Sequence, residues 1–138
     1  MKIKFWGTRG SFPTPKTPSE LEVRIETLIH DFNSSKPENF EPQTIKNFLA
    51  KLPRHNFQGY GGNTTCIEVK SDTSQVIIDS GSGIRVLGYE MLRGPCGKGQ
   101  GEVHIVFTHF HWDHIMGLPF FTPIFIPKNK IHFYAVQP

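Results

Sequence analysis

The sequence predicts a mixed α/β fold, on three observations. Val103-His104-Ile105-Val106-Phe107 is a short apolar run with the length and β-branched content of a buried strand. Thr64 to Lys70 alternates apolar and polar residues, and Gln75 to Asp79 follows it across Ser71-Asp72-Thr73-Ser74, a cluster of turn formers, which makes a hairpin. Ile84 to Leu92 lies between the hairpin and the apolar run and reads as a short helix ended by Gly94-Pro95.

The remaining elements follow in order. Lys2 to Trp6 reads as a first strand, and Gly7 to Pro18 as a loop rich in proline and glycine. Ser19 with Glu22 resembles a capping box, which starts a helix there; Leu21, Ile25, Leu28, Ile29 and Phe32 then recur at helical spacing until Asn33-Ser34-Ser35-Lys36-Pro37 breaks it. Pro42 opens a second helix with Ile45, Phe48, Leu49 and Leu52 on one face and Pro53 as the stop. Residues 19–58 thus form a helical insertion. It covers a sheet edge or closes a surface; the functional alternative is a lid or a dimer contact. Residues 94–101 hold four glycines and read as a mobile surface loop. Glu102 to Phe107 is a strand, Ile115 to Phe121 one or two helical turns, and Lys130 to Val136 a last strand that stops at Pro138.

The 138 residues suffice for one domain with a modest core. A net charge of +3 and a pI near 9.0 are compatible with an anionic substrate and with many other roles. Lys and Arg form no aromatic-interleaved basic patch, which argues against RNA binding as the main role. Cys66 and Cys96 show neither metal-ligand spacing nor a disulfide framework. Cys66 reads as a small buried hydrophobe, Cys96 as incidental in a glycine-rich loop. The start shows no signal-peptide pattern, and no window approaches the ~18 apolar residues of a membrane helix. A cytoplasmic protein without a membrane partner is the expectation.

The chemistry concentrates after the apolar run, in Thr108-His109-Phe110-His111-Trp112-Asp113-His114-Ile115-Met116-Gly117. Three histidines and an aspartate within six positions are hard to explain as packing, since each would be an expensive buried polar group without a partner. Imidazole and carboxylate suit zinc, manganese or iron. His109 and His111 alternate and point one way in an extended turn, while the adjacent Asp113 and His114 aim at a second point. Two pairs of ligands suit two metal ions a few Å apart. Trp112, between the ligands, reads as a packing residue.

This turn resembles the His-x-His-x-Asp-His signature of the metallo-β-lactamase fold hydrolases. Phe5-Trp6-Gly7-Thr8-Arg9-Gly10-Ser11, Tyr60-Gly61-Gly62-Asn63-Thr64-Thr65-Cys66, Ile77-Ile78-Asp79-Ser80-Gly81-Ser82-Gly83 and Leu118-Pro119-Phe120-Phe121 are similar to blocks of the branch that includes ribonuclease Z-like and cyclic-nucleotide phosphodiesterase-like proteins. The resemblance implies a four-layer αβ/βα sandwich, of which this chain supplies mainly the N-terminal αβ half. It implies two divalent ions, zinc first and manganese or iron as alternatives, with His109 and His111 on the first and Asp113 and His114 on the second. Asp113 would also accept the proton of the attacking water. Asp79 would orient the metal turn, a role compatible with its place before a helix N-terminus. Arg9, Ser11, Asn63 and Thr64 would line the substrate groove; Arg9 equally suits a surface ion pair, and Asn63 a left-handed turn.

The implied activity is hydrolysis of a phosphodiester, a cyclic nucleotide or RNA, by metal-bound hydroxide. Ester, thioester or lactam hydrolysis on the same fold is the alternative. The family's later ligands have no counterpart here: His30, His55, His104 and His132 stand in no matching context. The chain is therefore expected to be an incomplete domain, completed by a homodimer partner or a complementing C-terminal half, or else a non-catalytic half-domain.

Overall fold

A computed structural model describes residues 1–53, 56–57 and 62–135. His55, Tyr60, Gly61 and Val136, all named in the sequence reading, lie outside the described residues. The chain forms two compact units, Met1–Thr14 with Tyr60–Pro138, and Pro15–Gly59.

The first unit is built on a five-stranded sheet in the order β1-β2-β3-β4-β5, with β1 Lys2–Gly7, β2 Cys66–Lys70, β3 Gln75–Ile78, β4 Glu102–Phe107 and β5 Lys130–Ala135. β1, β2 and β3 pair antiparallel, and β3, β4 and β5 pair parallel. The β2–β3 hairpin closes where Ser71 N–H donates to the Ser74 carbonyl at 2.8 Å and the Ser71 hydroxyl accepts from the Thr73 and Ser74 amides. The parallel step from β3 to β4 requires a crossover, which α3 (Ile84–Met91) supplies.

One face of the sheet is the core. Cys66, Ile77, Val103, Ile105 and Phe107 alternate inward and meet Ile84 and Leu87 of α3, Phe121 and Cys96. Each large side chain taken fully from water contributes roughly 1.5–3 kcal/mol, so this single layer of packing holds the sheet to α3. The opposite face follows from the same alternation and register: Ile3, Phe5, Ile67, Val69, Val76, Ile78 and Val106, with Glu102, His104, His132 and Tyr134 at its β4–β5 corner. Ile3 and Phe5 on that face are more than half exposed.

Residues 94–101 correct the reading of a mobile surface loop. Pro95–Lys98 forms a 3-10 turn, Gly99 takes a left-handed conformation (φ 69°), and Cys96 is buried in the core. The Asn129 amide fastens the segment, donating to the Cys96 and Pro123 carbonyls at 2.9 and 3.0 Å and accepting from Gly101 N–H at 2.8 Å. Cys96 is a core residue, and burial raises its thiol pKa; burial raises that of Cys66 too, helped by the charges of Glu68 and Asp79.

The second unit holds α1 (Pro18–Ser34) and α2 (Pro42–Lys51). The first helix starts two residues before the expected box. Thr17 is the cap, its side chain accepting from Glu20 N–H while Glu20 accepts from Thr17 N–H at 2.8 Å. Both Thr17/Glu20 and Ser19/Glu22 have the capping spacing. Pro18 decides between them, because its missing N–H costs nothing at the first helical position. Phe32 packs edge-on against Phe40 and Phe48, the Arg24 guanidinium donates to the Asn56 carbonyl, and neither helix buries a residue completely. No helix among the described residues is long and apolar enough to cross a membrane.

Candidate metal centre

Two chain segments leave the parallel strands side by side. After β3, Asp79-Ser80-Gly81-Ser82-Gly83 leads into α3; after β4, Thr108 to His111 leads into α4 (Trp112–Ile115). Backbone hydrogen bonds lock the two together. Ser80 N–H donates to the His114 carbonyl at 2.7 Å, and Gly117 N–H to the Ser80 carbonyl at 2.9 Å. The approach is so close that only glycine fits: a Cβ on Gly117 would stand 2.1 Å from the Gly81 carbonyl oxygen, and one on Gly81 would stand 2.4 Å from that of Asp113.

Asp79 is the pivot. It is 1 % exposed and takes a left-handed backbone conformation (φ 60°), which aspartate tolerates better than most residues. Its Oδ1 accepts from the Thr108 amide and hydroxyl at 2.9 and 3.0 Å, and its Oδ2 lies 2.8 Å from His114 Nδ1. A carboxylate fixed by the backbone of the next strand exit thereby holds the His114 ring. With Nδ1 donating to it, Nε2 keeps the lone pair that a cation would need. That Nε2 stands 3.3 Å from Asp113 Oδ2.

The same Asp113 Oδ2 accepts from Ser11 N–H at 3.0 Å, so the loop carrying Thr8, Arg9 and Gly10 is tied to the turn. This amide, with smaller help from its own backbone amide and from His114 and His111, holds the Asp113 carboxyl below its ordinary pKa, against a weaker opposing effect of burial. His109 is gathered into the cluster, its ring centroid 4.5 Å from that of His111 and 4.0 Å from that of His114, and Thr108 Oγ1 lies 3.0 Å from its Nδ1. His109 and His111 are exposed, His114 and Asp113 half-buried.

The structure thus brings His109, His111, Asp113, His114 and Asp79 together, and Ser11 joins them through its backbone amide. The other residues expected along the groove separate. Thr64 is wholly buried, and its hydroxyl accepts from Ser82 N–H at 2.7 Å, so its side chain fastens the Asp79–Gly83 segment and faces no solute. Asn63 accepts from the Ser82 hydroxyl at 3.1 Å, and its carbonyl accepts from the Thr8 and Arg9 amides. Arg9 is exposed. Trp112 departs from its expected packing role: it is 66 % exposed, beside exposed Phe110. It has helical neighbours on only one side of a single turn, too few to bury an indole.

A set the sequence reading passed over lies at the other end of β4. Among the described residues, the three whose ligand atoms come within 4.8 Å of one another are Glu102, His104 and His132, rather than three from the turn. The alternation Glu102-x-His104 was a signal for one shared face, but nothing in the sequence put His132 beside them.

A donor set of imidazole and carboxylate on a strand-exit turn, with a buried carboxylate behind it, is chemically suited to a hard or borderline divalent cation. The donors fit such an ion chemically. The family model of the metallo-beta-lactamase superfamily matches residues 59–132, and the chain belongs to that superfamily, whose members are typically metal-dependent hydrolases and usually bind divalent metals. No curated protein and no solved structure matches the chain.

Proposed function

We propose that the protein hydrolyses phosphodiesters, as in the ribonuclease Z-like and cyclic-nucleotide phosphodiesterase-like branch of the superfamily, with His109 and His111 holding one divalent ion and Asp113 and His114 a second. The observation that carries this reading is the Ser11 amide on Asp113 Oδ2, which sets the Thr8-Arg9-Gly10-Ser11 loop against the ligand turn. A planar guanidinium at the rim suits the paired oxygens of a phosphate. Exposed Trp112 and Phe110 offer flat apolar faces on which a base stacks.

Divalent ions bound at such a turn would lower the pKa of a water they hold to about 7 and polarise a phosphoryl oxygen. The chain's own residues supply the rest. Asp79 fixes the orientation of His114 before substrate arrives. Asp113, kept ionised by the Ser11 amide, accepts a proton on its free oxygen. Arg9 draws the anionic substrate to the rim.

A catalytic zinc usually takes three protein ligands, and the turn offers two to each ion. Further ligands therefore come from a complementing C-terminal half or from a partner copy. The half-exposed apolar face that Ile3, Phe5, Ile67, Val69, Val76 and Ile78 form on β1 to β3 supports a second layer packed there, the sandwich of the superfamily, with the polar β4–β5 corner left open. On this reading residues 19–58 are an insertion in one domain.

The test is turnover by the zinc-loaded protein on a panel of cyclic nucleotides, RNA 3′ ends, thioesters and lactams, at two salt concentrations. Preference for a cyclic nucleotide with shallow salt dependence supports the reading, whereas a steep loss with salt indicates nucleic-acid substrates. Preference for the thioester or lactam overturns it, and no turnover at all favours a half-domain that works only with a partner.

A further inference from the structure

We propose that Glu102, His104 and His132 form a second, separate divalent-metal site of the zinc type, which clamps the edge strand β5 to β4. It lies at the entrance of these strands, away from the turn at their exit, and uses none of the same residues.

The parallel register pairs His104 with His132, so both side chains leave the same face of the sheet about one strand spacing apart, roughly 4.8 Å. Their rings stack with centroids 4.8 Å apart and planes 11° apart. Glu102, two residues before His104, shares that face, and its Oε1 reaches His132 Nε2 at 3.0 Å. The ligand atoms of all three lie within 4.8 Å of one another. Ligands ~2.1 Å from a tetrahedral zinc stand about 3.4 Å apart, so side-chain rotation of about an ångström closes the triad on an ion.

Tyr134 is placed as the orienting group. Its hydroxyl lies 2.9 Å from His104 Nδ1 and its ring stacks 5.8 Å from that imidazole. With Nδ1 donating to the hydroxyl oxygen, Nε2 of His104 carries the lone pair for the cation. A ring held at one nitrogen so that the other can bind is the usual arrangement around metal-bound histidine.

The surroundings make this set conspicuous. Along the same face the register places Val69, Val76, Ile67, Ile78 and Val106, so its polar ligand-type side chains gather at one corner. Two imidazoles stacked flat repel when both are protonated and gain little when both are neutral. A cation between the neutral rings and a carboxylate accounts for having all three there. Two nitrogens and one oxygen suit zinc and leave one position for water.

The experiment counts zinc in the protein whose turn is disabled by His109→Ala, His111→Ala, Asp113→Ala and His114→Gln, after zinc chloride loading and desalting, with isothermal titration for affinity. Retention of zinc, lost or at least 10-fold weaker on adding His132→Gln and again on adding Glu102→Gln, establishes the site. Tyr134→Phe is expected to weaken binding about 10-fold while the circular dichroism spectrum stays unchanged. No zinc on the turn-disabled protein with a native spectrum overturns the proposal, as does affinity indifferent to both His132→Gln and Glu102→Gln. Turnover plays no part in these readouts, so the site stands or falls independently of the activity assigned to the turn.

Discussion

At the exit of β4, His114 is tied through Nδ1 to a carboxylate whose side chain is 2 % exposed; at its entrance, His132 pairs with Glu102, whose side chain is 58 % exposed. The exit cluster sits on a turn that backbone hydrogen bonds and two glycines hold against the neighbouring loop. The entrance cluster stands on a flat strand face, where only side chains define it. A buried carboxylate with three protein partners cannot swing away, so the ring it orients is set before any ligand binds. An exposed one is mobile and screened by water. One strand thus carries a preorganised group suited to chemistry and an adaptable group suited to clamping, and each can be altered without touching the other.

The sharpest way to break this contrast is through turnover. On the proposed reading, His111→Ala or Asp113→Ala abolishes phosphodiester hydrolysis while leaving the thermal unfolding profile near that of the parent, because His111 is exposed and the half-buried Asp113 gives up one hydrogen bond, from the Ser11 amide of an exposed loop. Substantial residual turnover in either variant would remove the exit cluster from the chemistry.

Next in size is the support beneath it. Asp79→Ala removes the shared acceptor of the Thr108 amide, the Thr108 hydroxyl and His114 Nδ1 at a part-buried position, and a loss of about 2 kcal/mol in urea unfolding is expected. Asp79→Asn keeps the left-handed backbone and part of the bonding, so it should be milder in stability yet still weaken zinc at the turn by 10–100-fold. Equal stability loss in both variants would mean that charge alone, not the geometry of the bonds, matters. Gly117→Ala tests the tight approach itself: a Cβ 2.1 Å from a backbone oxygen forces the two loops apart, at a cost of about 2 kcal/mol. A neutral result would show the loops to be loosely coupled.

The difference between the clusters also governs how readable each was. His109, His111, Asp113 and His114 are contiguous, and the strand before them is announced by Val103 to Phe107, so both the element and its ligands stand in one window of sequence. Glu102, His104 and His132 are brought together only by the parallel register of β4 and β5, a long-range pairing that no local pattern encodes. Residues 94–101 fail for the same reason: four glycines read as mobility, while the Asn129 side chain that fastens them comes from far along the chain. Trp112 shows the opposite error, a large aromatic assigned to packing by residue type that stands 66 % exposed on a single-turn helix. At α1 the spacing signal occurred twice, at Thr17 and Ser19, and Pro18 settled which cap is used. The strands, α3 and the start of α2 were legible because hydrophobic periodicity and proline placement act locally.

The smallest predicted effect is the most discriminating for the entrance cluster. In chelator-treated protein, His132→Gln is expected to cost under ~1 kcal/mol, the range of a cross-strand pair. The Glu102–His132 contact is solvent-screened, with side chains 58 % and 40 % exposed, so little of its attraction survives. Glutamine preserves a polar side chain on the same face and leaves every backbone bond of the β4–β5 ladder in place. With zinc added, protein whose exit turn is disabled should gain several degrees in melting temperature and the same protein carrying His132→Gln little, since a ligand bound only by the folded state stabilises according to its affinity. A loss of 2 kcal/mol or more without metal would show that the stacked imidazoles hold β5 by packing, and would erase the distinction between a cluster kept for its fold and one kept for its ligand.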